Sequence, residues 1–110
     1  ELQKIEIFLM EQLAYILARM KTIKESDGST LLDNSIVTYG AGLGDGATHQ
    51  YFDLPMIVSG RAQGQVKQGR FVQCKSGTLN SNLWLTIAQL MGLEIDEFAD
   101  STGVISDLWT

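Results

Sequence analysis

The stretch SIVTYGAGLGDGATH, residues 35–49, joins a run of β-branched and aromatic residues to a glycine-rich segment. Isoleucine, valine, threonine and tyrosine favour strands, whereas closely spaced glycines favour turns. The first five residues therefore predict a buried strand, and the rest predicts a loop directly after it. Open α/β sheets usually bind their ligands at such a place, because the carboxyl end of a strand delivers side chains to a crevice.

Apolar residues before this stretch recur at the spacing of one helix face. They are Leu2, Ile5, Leu9, Leu13, Ile16, Met20 and Ile23. This spacing predicts a helix over residues 2–23. Further apolar side chains lie outside the face, which suggests that two neighbouring layers cover the helix. Turn-forming residues 26–29 end it, and Gly28 is suited to a left-handed conformation.

Two more strands and a second helix are expected after the loop. Residues 54–60 predict a short strand, and residues 70–74 predict an edge strand. Ser76 and Thr78 are candidate N-caps of the second helix, which Gly92 ends. Residues 95–98 predict one further helical turn. The expected core positions of the second helix are Leu79, Leu83, Ile87, Leu90 and Met91.

This order of elements predicts the α/β class, with a small sheet of two to three strands flanked by helices, over residues 1–110 as a single domain. So thin a sheet favours a piece of a larger sheet, or pairing with a second copy of the chain. The sequence begins at Glu1 directly in helical pattern. We therefore expect a fragment or the C-terminal part of a larger domain.

Composition excludes two classes of partner. Eight Lys and Arg stand against 13 Asp and Glu, which gives a net charge of -5 and argues against a protein that neutralises nucleic-acid phosphates. Charged residues interrupt the segment from Ile5 to Met20, so it does not fit a membrane span of about 20 apolar residues. Cys74 is the single cysteine, which excludes an internal disulfide.

The glycine-rich loop carries the candidate site residues. Its glycines at positions 40, 42, 44 and 46 do not fit the dinucleotide fingerprint, and the loop lacks the lysine of a P-loop. Asp45 and His49 offer one carboxylate and one imidazole as metal ligands. A zinc centre normally needs at least three protein ligands, and the other acidic residues have no diagnostic spacing. On the residues alone, a tight turn without a ligand remains the alternative.

The order of several segments adds a family resemblance. The segments LLDNSIVTYGAGLGDGATH, DLPMIVSG, GQVKQGR, LWLTIAQLMGL and DEFADSTG resemble the C-terminal part of a bacterial family of unknown function that is known by its HXXSHH motif. The resemblance covers essentially all of the chain. That family in turn resembles the alkaline phosphatase and sulfatase superfamily, which implies an α/β/α sandwich with a metal centre at the carboxyl ends of strands.

This resemblance implies a parent protein that is a metal-dependent hydrolase, exported to the periplasm or the cell surface. It matches Asp45 and His49 to ligands of a divalent ion such as zinc or manganese. In the superfamily the two residues are adjacent, whereas here Gly46 follows Asp45. The nucleophile and the other ligands are expected in the missing N-terminal part of the parent chain, so the isolated chain is expected to be inactive. The alternative is a noncatalytic structural or interaction domain that pairs through its sheet edge.

Overall fold

The computed structural model describes residues 1–109, which form two α-helices and a two-stranded antiparallel sheet, a small α/β fold. The chain divides into two compact units, Glu1–Gly60 and Arg61–Thr110. The first unit contains α1 (Leu2–Thr22), β1 (Val37–Gly40) and β2 (Met56–Ser59). The second contains α2 (Asn80–Leu90) and a short 3-10 helix (Ser106–Leu108). The assignment of one domain to the whole chain remains a prediction.

Helix α1 confirms the predicted first helix and ends one residue earlier than its apolar pattern. Ile23 already has extended backbone angles, with φ -80° and ψ 120°. A tight turn follows, closed by a backbone bridge between Lys24 and Thr30. In this turn Gly28 has a φ of 86°, as predicted, and the Asp27 carboxylate accepts the backbone N–H of Ser29 at 2.9 Å. The turn-forming residues Asp27, Gly28 and Ser29 therefore reverse the chain direction directly after α1.

Strands β1 and β2 confirm two of the predicted strands, each somewhat shorter than expected. They pair antiparallel, with Val37 opposite Ser59 and Gly40 opposite Met56. Residues 41–55 form one long connection between the two strands. It leaves β1 and enters β2 at the same end of the sheet, where Gly40 lies opposite Met56. Gly60 follows β2 with a φ of 94°, and a Cβ there would overlap the backbone oxygen of Ser35. Only glycine meets both conditions.

The predicted edge strand at residues 70–74 is wrong, because this segment is irregular in the structure. Hydrogen bonds to residues 107 and 108 hold Arg70 and the nearby Lys67, where a strand partner was expected. The Arg70 guanidinium donates to the backbone oxygen of Asp107, and the backbone N–H of Lys67 donates to that of Leu108 at 3.1 Å. The sheet therefore has two strands among residues 1–109.

Helix α2 begins without the predicted caps. Its N-cap is Leu79, which makes no side-chain hydrogen bond, so the expectation of Ser76 or Thr78 was wrong. The backbone N–H of Thr78 donates to the carbonyl of Lys75 at 3.1 Å. Thr78 therefore belongs to a turn that precedes the cap position. The end of α2 matches the prediction. Gly92 has a φ of 89°, and the N–H groups of residues 92 and 93 bond back to the carbonyls of residues 89 and 88, as in a Schellman motif.

The buried face of α2 is more polar than its apolar spacing predicted. Leu83 and Leu90 are buried as expected, whereas Met91 lies beyond the helix and is 53% exposed. The fully buried Thr86 hydroxyl donates to the backbone oxygen of Asn82 at 2.6 Å and accepts the N–H of Ile105 at 2.8 Å. This hydroxyl therefore joins the C-terminal segment to the helix.

Asn82 extends the same network. Its side-chain oxygen accepts the N–H of Thr102 at 2.8 Å, and its amide donates to the Thr102 hydroxyl at 3.2 Å. The predicted helical turn at residues 95–98 is absent and a turn over residues 98–101 replaces it, with Ser101 bonding Phe98. Gln89 donates to the backbone oxygen of Ile95 at 2.8 Å, which ties the segment after α2 back to the helix.

Candidate functional site

The glycine-rich connection forms a small ordered hairpin of its own. Asp45 and Gln50 pair as an antiparallel bridge, in which Gly44 N–H donates to the Gln50 carbonyl at 2.7 Å and Gln50 N–H donates to that of Asp45 at 3.2 Å. The bridge encloses residues 46–49. Both candidate ligands, Asp45 and His49, therefore lie on one tight turn.

The Asp45 carboxylate is built into this turn. It accepts the backbone N–H of Ala47 at 2.8 Å. That bond, followed by one from the Thr48 hydroxyl, holds the pKa of Asp45 below its ordinary value, because both donors stabilise the ionised form. The side chain is exposed. Asp45 is thus an accessible carboxylate that stays charged at neutral pH.

His49 closes the turn in a left-handed conformation, with a φ of 56°. Histidine enters this region less readily than glycine and more readily than most residues. Its side chain is exposed. Asp53, further along the connection, also has a positive φ, of 55°. The His49 imidazole offers a nitrogen ligand and the Asp45 carboxylate an oxygen ligand, and both types suit zinc and manganese.

A catalytic zinc site uses three protein ligands, and this turn supplies two. Among residues 1–109, no group of three or more His, Cys, Asp and Glu side chains is arranged to hold a metal ion. The part of the chain that the structure describes therefore does not fit a complete metal centre by itself. Ligation by Asp45 and His49, and a bound divalent ion, remain predictions.

Two aromatic residues beside the turn were not singled out from the sequence. Tyr51 is 74% exposed and Phe52 is 62% exposed. The backbone of Phe52 packs against the turn, because a Cβ on Gly44 would overlap its carbonyl oxygen. The signal in the sequence was the pair of consecutive aromatics two residues after His49 in a glycine-rich loop. They give the candidate site an apolar border.

Helix α1 carries seven exposed large apolar side chains. They are Leu2, Ile5, Ile7, Phe8, Leu9, Tyr15 and Ile16. None of the residues of α1 is buried, so the expected two covering layers are absent among residues 1–109. In residues 1–109 no helix, α1 included, has the length and apolarity that crossing a membrane requires. The exposed apolar surface of α1 is therefore a second candidate functional surface, separate in kind from the Asp45 turn.

Comparison with known proteins finds no matching family model, no matching curated protein and no matching solved structure. The resemblance to the HXXSHH family consequently rests on the sequence segments alone and remains a proposal.

Proposed function

We propose that the chain is the C-terminal part of a phosphatase- or sulfatase-like protein with an α/β/α sandwich, whose whole is a metal-dependent hydrolase. In this proposal the Asp45 turn contributes part of the metal site. The observation that carries it is the exposed, ionised carboxylate of Asp45 on the same tight turn as the His49 imidazole. The order of segments that resembles the HXXSHH family supports it.

The residues of the turn have the chemistry that ligands of a divalent ion require. A carboxylate binds a metal only when it is deprotonated, and the donors from Ala47 and Thr48 favour that state in Asp45. Imidazole binds through a neutral nitrogen. A bound divalent ion supplies Lewis-acid stabilisation of charge on a phosphoryl or sulfuryl oxygen. The nucleophile and further ligands would come from the N-terminal part of the parent, so the chain alone is inactive.

Calorimetric titration with zinc or manganese tests this role. Asp45→Asn is the informative variant, because asparagine keeps an oxygen that can accept the Ala47 N–H and removes only the charge. His49→Ala removes the imidazole. Asp53→Asn is the matched control, since it makes the same change on the same connection but outside the turn of residues 45–50.

We expect the heat of binding to fall in Asp45→Asn and His49→Ala and to persist in Asp53→Asn. Equal loss in Asp45→Asn and Asp53→Asn, with none in His49→Ala, would show that the ion responds only to net charge. A full-length parent that binds the ion equally well in all variants would rule out this turn as the site.

A noncatalytic interaction domain is the second candidate, and a specific observation favours it. The sheet has two strands, so β1 and β2 each have one edge without a strand partner among residues 1–109. Unpaired strand edges are templates for pairing with another chain. Sedimentation velocity over a wide concentration range tests the version in which that chain is a second copy. A folded chain that stays monomeric at high concentration contradicts it.

A further inference from the structure

Most of the exposed large apolar side chains of α1 lie along one side of the helix. At about 100° per residue, positions 5, 9, 12, 16, 19 and 23 fall on the same side, with 8 and 15 beside them. Ile5, Phe8, Ile16 and Tyr15 on this face are each at least half exposed, and Leu9 is 41% exposed. The polar members are Gln12 and Arg19. We call these eight residues the α1 stripe.

We propose that the α1 stripe is an interface that docks, antiparallel, on the same stripe of a second copy of the chain. The inference rests on the interaction role proposed above, and it assigns that role to the helix face and not to the sheet edge. A second copy is the occupant that the following features of the stripe favour.

The area of the stripe is close to what a stable dimer needs. Each large apolar side chain in it is roughly half exposed, so the six together can bury roughly 600 Å², given about 150–250 Å² for a whole aromatic side chain. One partner in a standard interface contributes about 800 Å². Flanking polar side chains can supply the remainder. One helix face is therefore enough to form an isologous contact, in which the same patch is used twice.

The dipole and the charges of α1 favour the antiparallel direction. Antiparallel docking places the positive end of each helix dipole beside the negative end of the other. The last turn carries Arg19 and Lys21 and no acidic residue, and of these two Arg19 lies on the stripe, whereas the first half of the helix carries Lys4, Glu6 and Glu11. Parallel docking would bring the two Arg19 side chains together, and antiparallel docking keeps them apart.

Gln12 sets the register. It lies midway between Ile5 and Arg19, so a twofold axis near this residue places the two Gln12 side chains beside each other, where their amides can exchange hydrogen bonds. Leu9 then lies opposite Ile16 of the second copy. A single polar residue in an apolar helix seam is an established way to specify register. At the ends, the aliphatic stem of Arg19 packs against the second copy's Ile5.

Sedimentation equilibrium on three variants tests the interface. Ile16→Lys places a charge in the centre of the stripe, and lysine is a good helix former, so the helix should persist. Ala18→Lys is the matched control, because it also introduces lysine into α1 but at an exposed position away from the stripe. We expect at least a tenfold rise in the dimer dissociation constant for Ile16→Lys and little change for Ala18→Lys. Ile5→Lys gives the same test near the helix start if circular dichroism shows that Ile16→Lys has lost helix.

Ile57→Lys separates this proposal from pairing through the sheet. Ile57 lies in β2 and is 40% exposed. A dimer that Ile57→Lys disrupts and Ile16→Lys leaves intact overturns the helix interface while the interaction role survives. A folded chain that is monomeric at high concentration overturns both.

Disulfide crosslinking tests the direction of docking. In a Cys74→Ser background, Ile5→Cys and Arg19→Cys put single thiols near the two ends of the stripe. These positions are about 21 Å apart along the helix at 1.5 Å per residue. Antiparallel docking therefore predicts a crosslink only when the two variants are mixed and oxidised. Crosslinks within each variant alone, and none in excess of these in the mixture, would overturn the antiparallel arrangement.

Discussion

The Asp45 carboxylate accepts the backbone N–H of Ala47 at 2.8 Å, so the candidate ligand is also the residue that closes its own turn. The bond is the side-chain mimic of a backbone turn that aspartate commonly makes two residues along the chain. It has two consequences. It orders the turn, and it keeps the carboxylate ionised.

The pKa of Asp45 is expected to lie below the ordinary aspartate value of about 3.9. The N–H of Ala47 is the main cause and the Thr48 hydroxyl is the second. Because the folded-state pKa is lower than the unfolded one, the resulting stability is present above the unfolded pKa and is lost as the pH falls through the folded value. Carboxyl-carbon NMR titration measures this directly. Thr48→Val should move the midpoint upward, and an Asp45 midpoint at or above the ordinary value would contradict the turn as described.

Gly44 and Gly42 are expected to respond in opposite ways to the same substitution. A Cβ on Gly44 would overlap the backbone oxygen of Phe52, whereas a Cβ on Gly42 would meet nothing within 4 Å. Gly44→Ala should therefore lower the free energy of unfolding by about 1–3 kcal/mol, the usual range for overpacking. Gly42→Ala should be neutral or should stabilise by up to about 1 kcal/mol through the unfolded state. Urea unfolding of both variants checks this, and equal effects would be inconsistent with the close approach of the two loop segments.

Thr86 is expected to be the most sensitive polar residue of the second unit. Thr86→Val has nearly the same shape but leaves the N–H of Ile105 without its acceptor, at a cost of about 1–3 kcal/mol. Thr86→Ser keeps the hydroxyl and loses one methyl, at a cost of about 1 kcal/mol. Hydrogen exchange distinguishes the two variants. The Ile105 amide should lose protection in Thr86→Val and keep it in Thr86→Ser; protection that persists in both would remove the proposed role of the hydroxyl.

Features that depend on local chemistry could be read from the sequence. The apolar spacing of α1, the turn at Gly28 and the end of α2 at Gly92 each follow from a few neighbouring residues. The two strands likewise follow from their β-branched content. In the candidate site, the closely spaced glycines and the Asp45 side chain indicated a tight turn, and the structure contains one.

Features that depend on distant partners could not be read in this way. Arg70 bonds the backbone oxygen of Asp107, and Lys67 just before the segment bonds that of Leu108, near the other end of the unit, and no local pattern reveals these bonds. The same holds for Asn82 and Thr86, which look like exposed polar positions until Thr102 and Ile105 are placed beside them. Apolar spacing alone therefore assigned Met91 to the core and missed the buried polar face.

Ser81 is expected to behave oppositely to Thr86 when its hydroxyl is removed. It is 8% exposed, and its Oγ has no hydrogen-bond partner, unlike the Thr86 Oγ, which both donates and accepts. Burying a hydroxyl without a partner costs about 1–3 kcal/mol. Ser81→Ala should therefore raise the free energy of unfolding by about 1 kcal/mol, measured by urea denaturation beside Thr86→Val. A loss of stability in Ser81→Ala as large as that in Thr86→Val would mean that the Ser81 hydroxyl has a partner in solution.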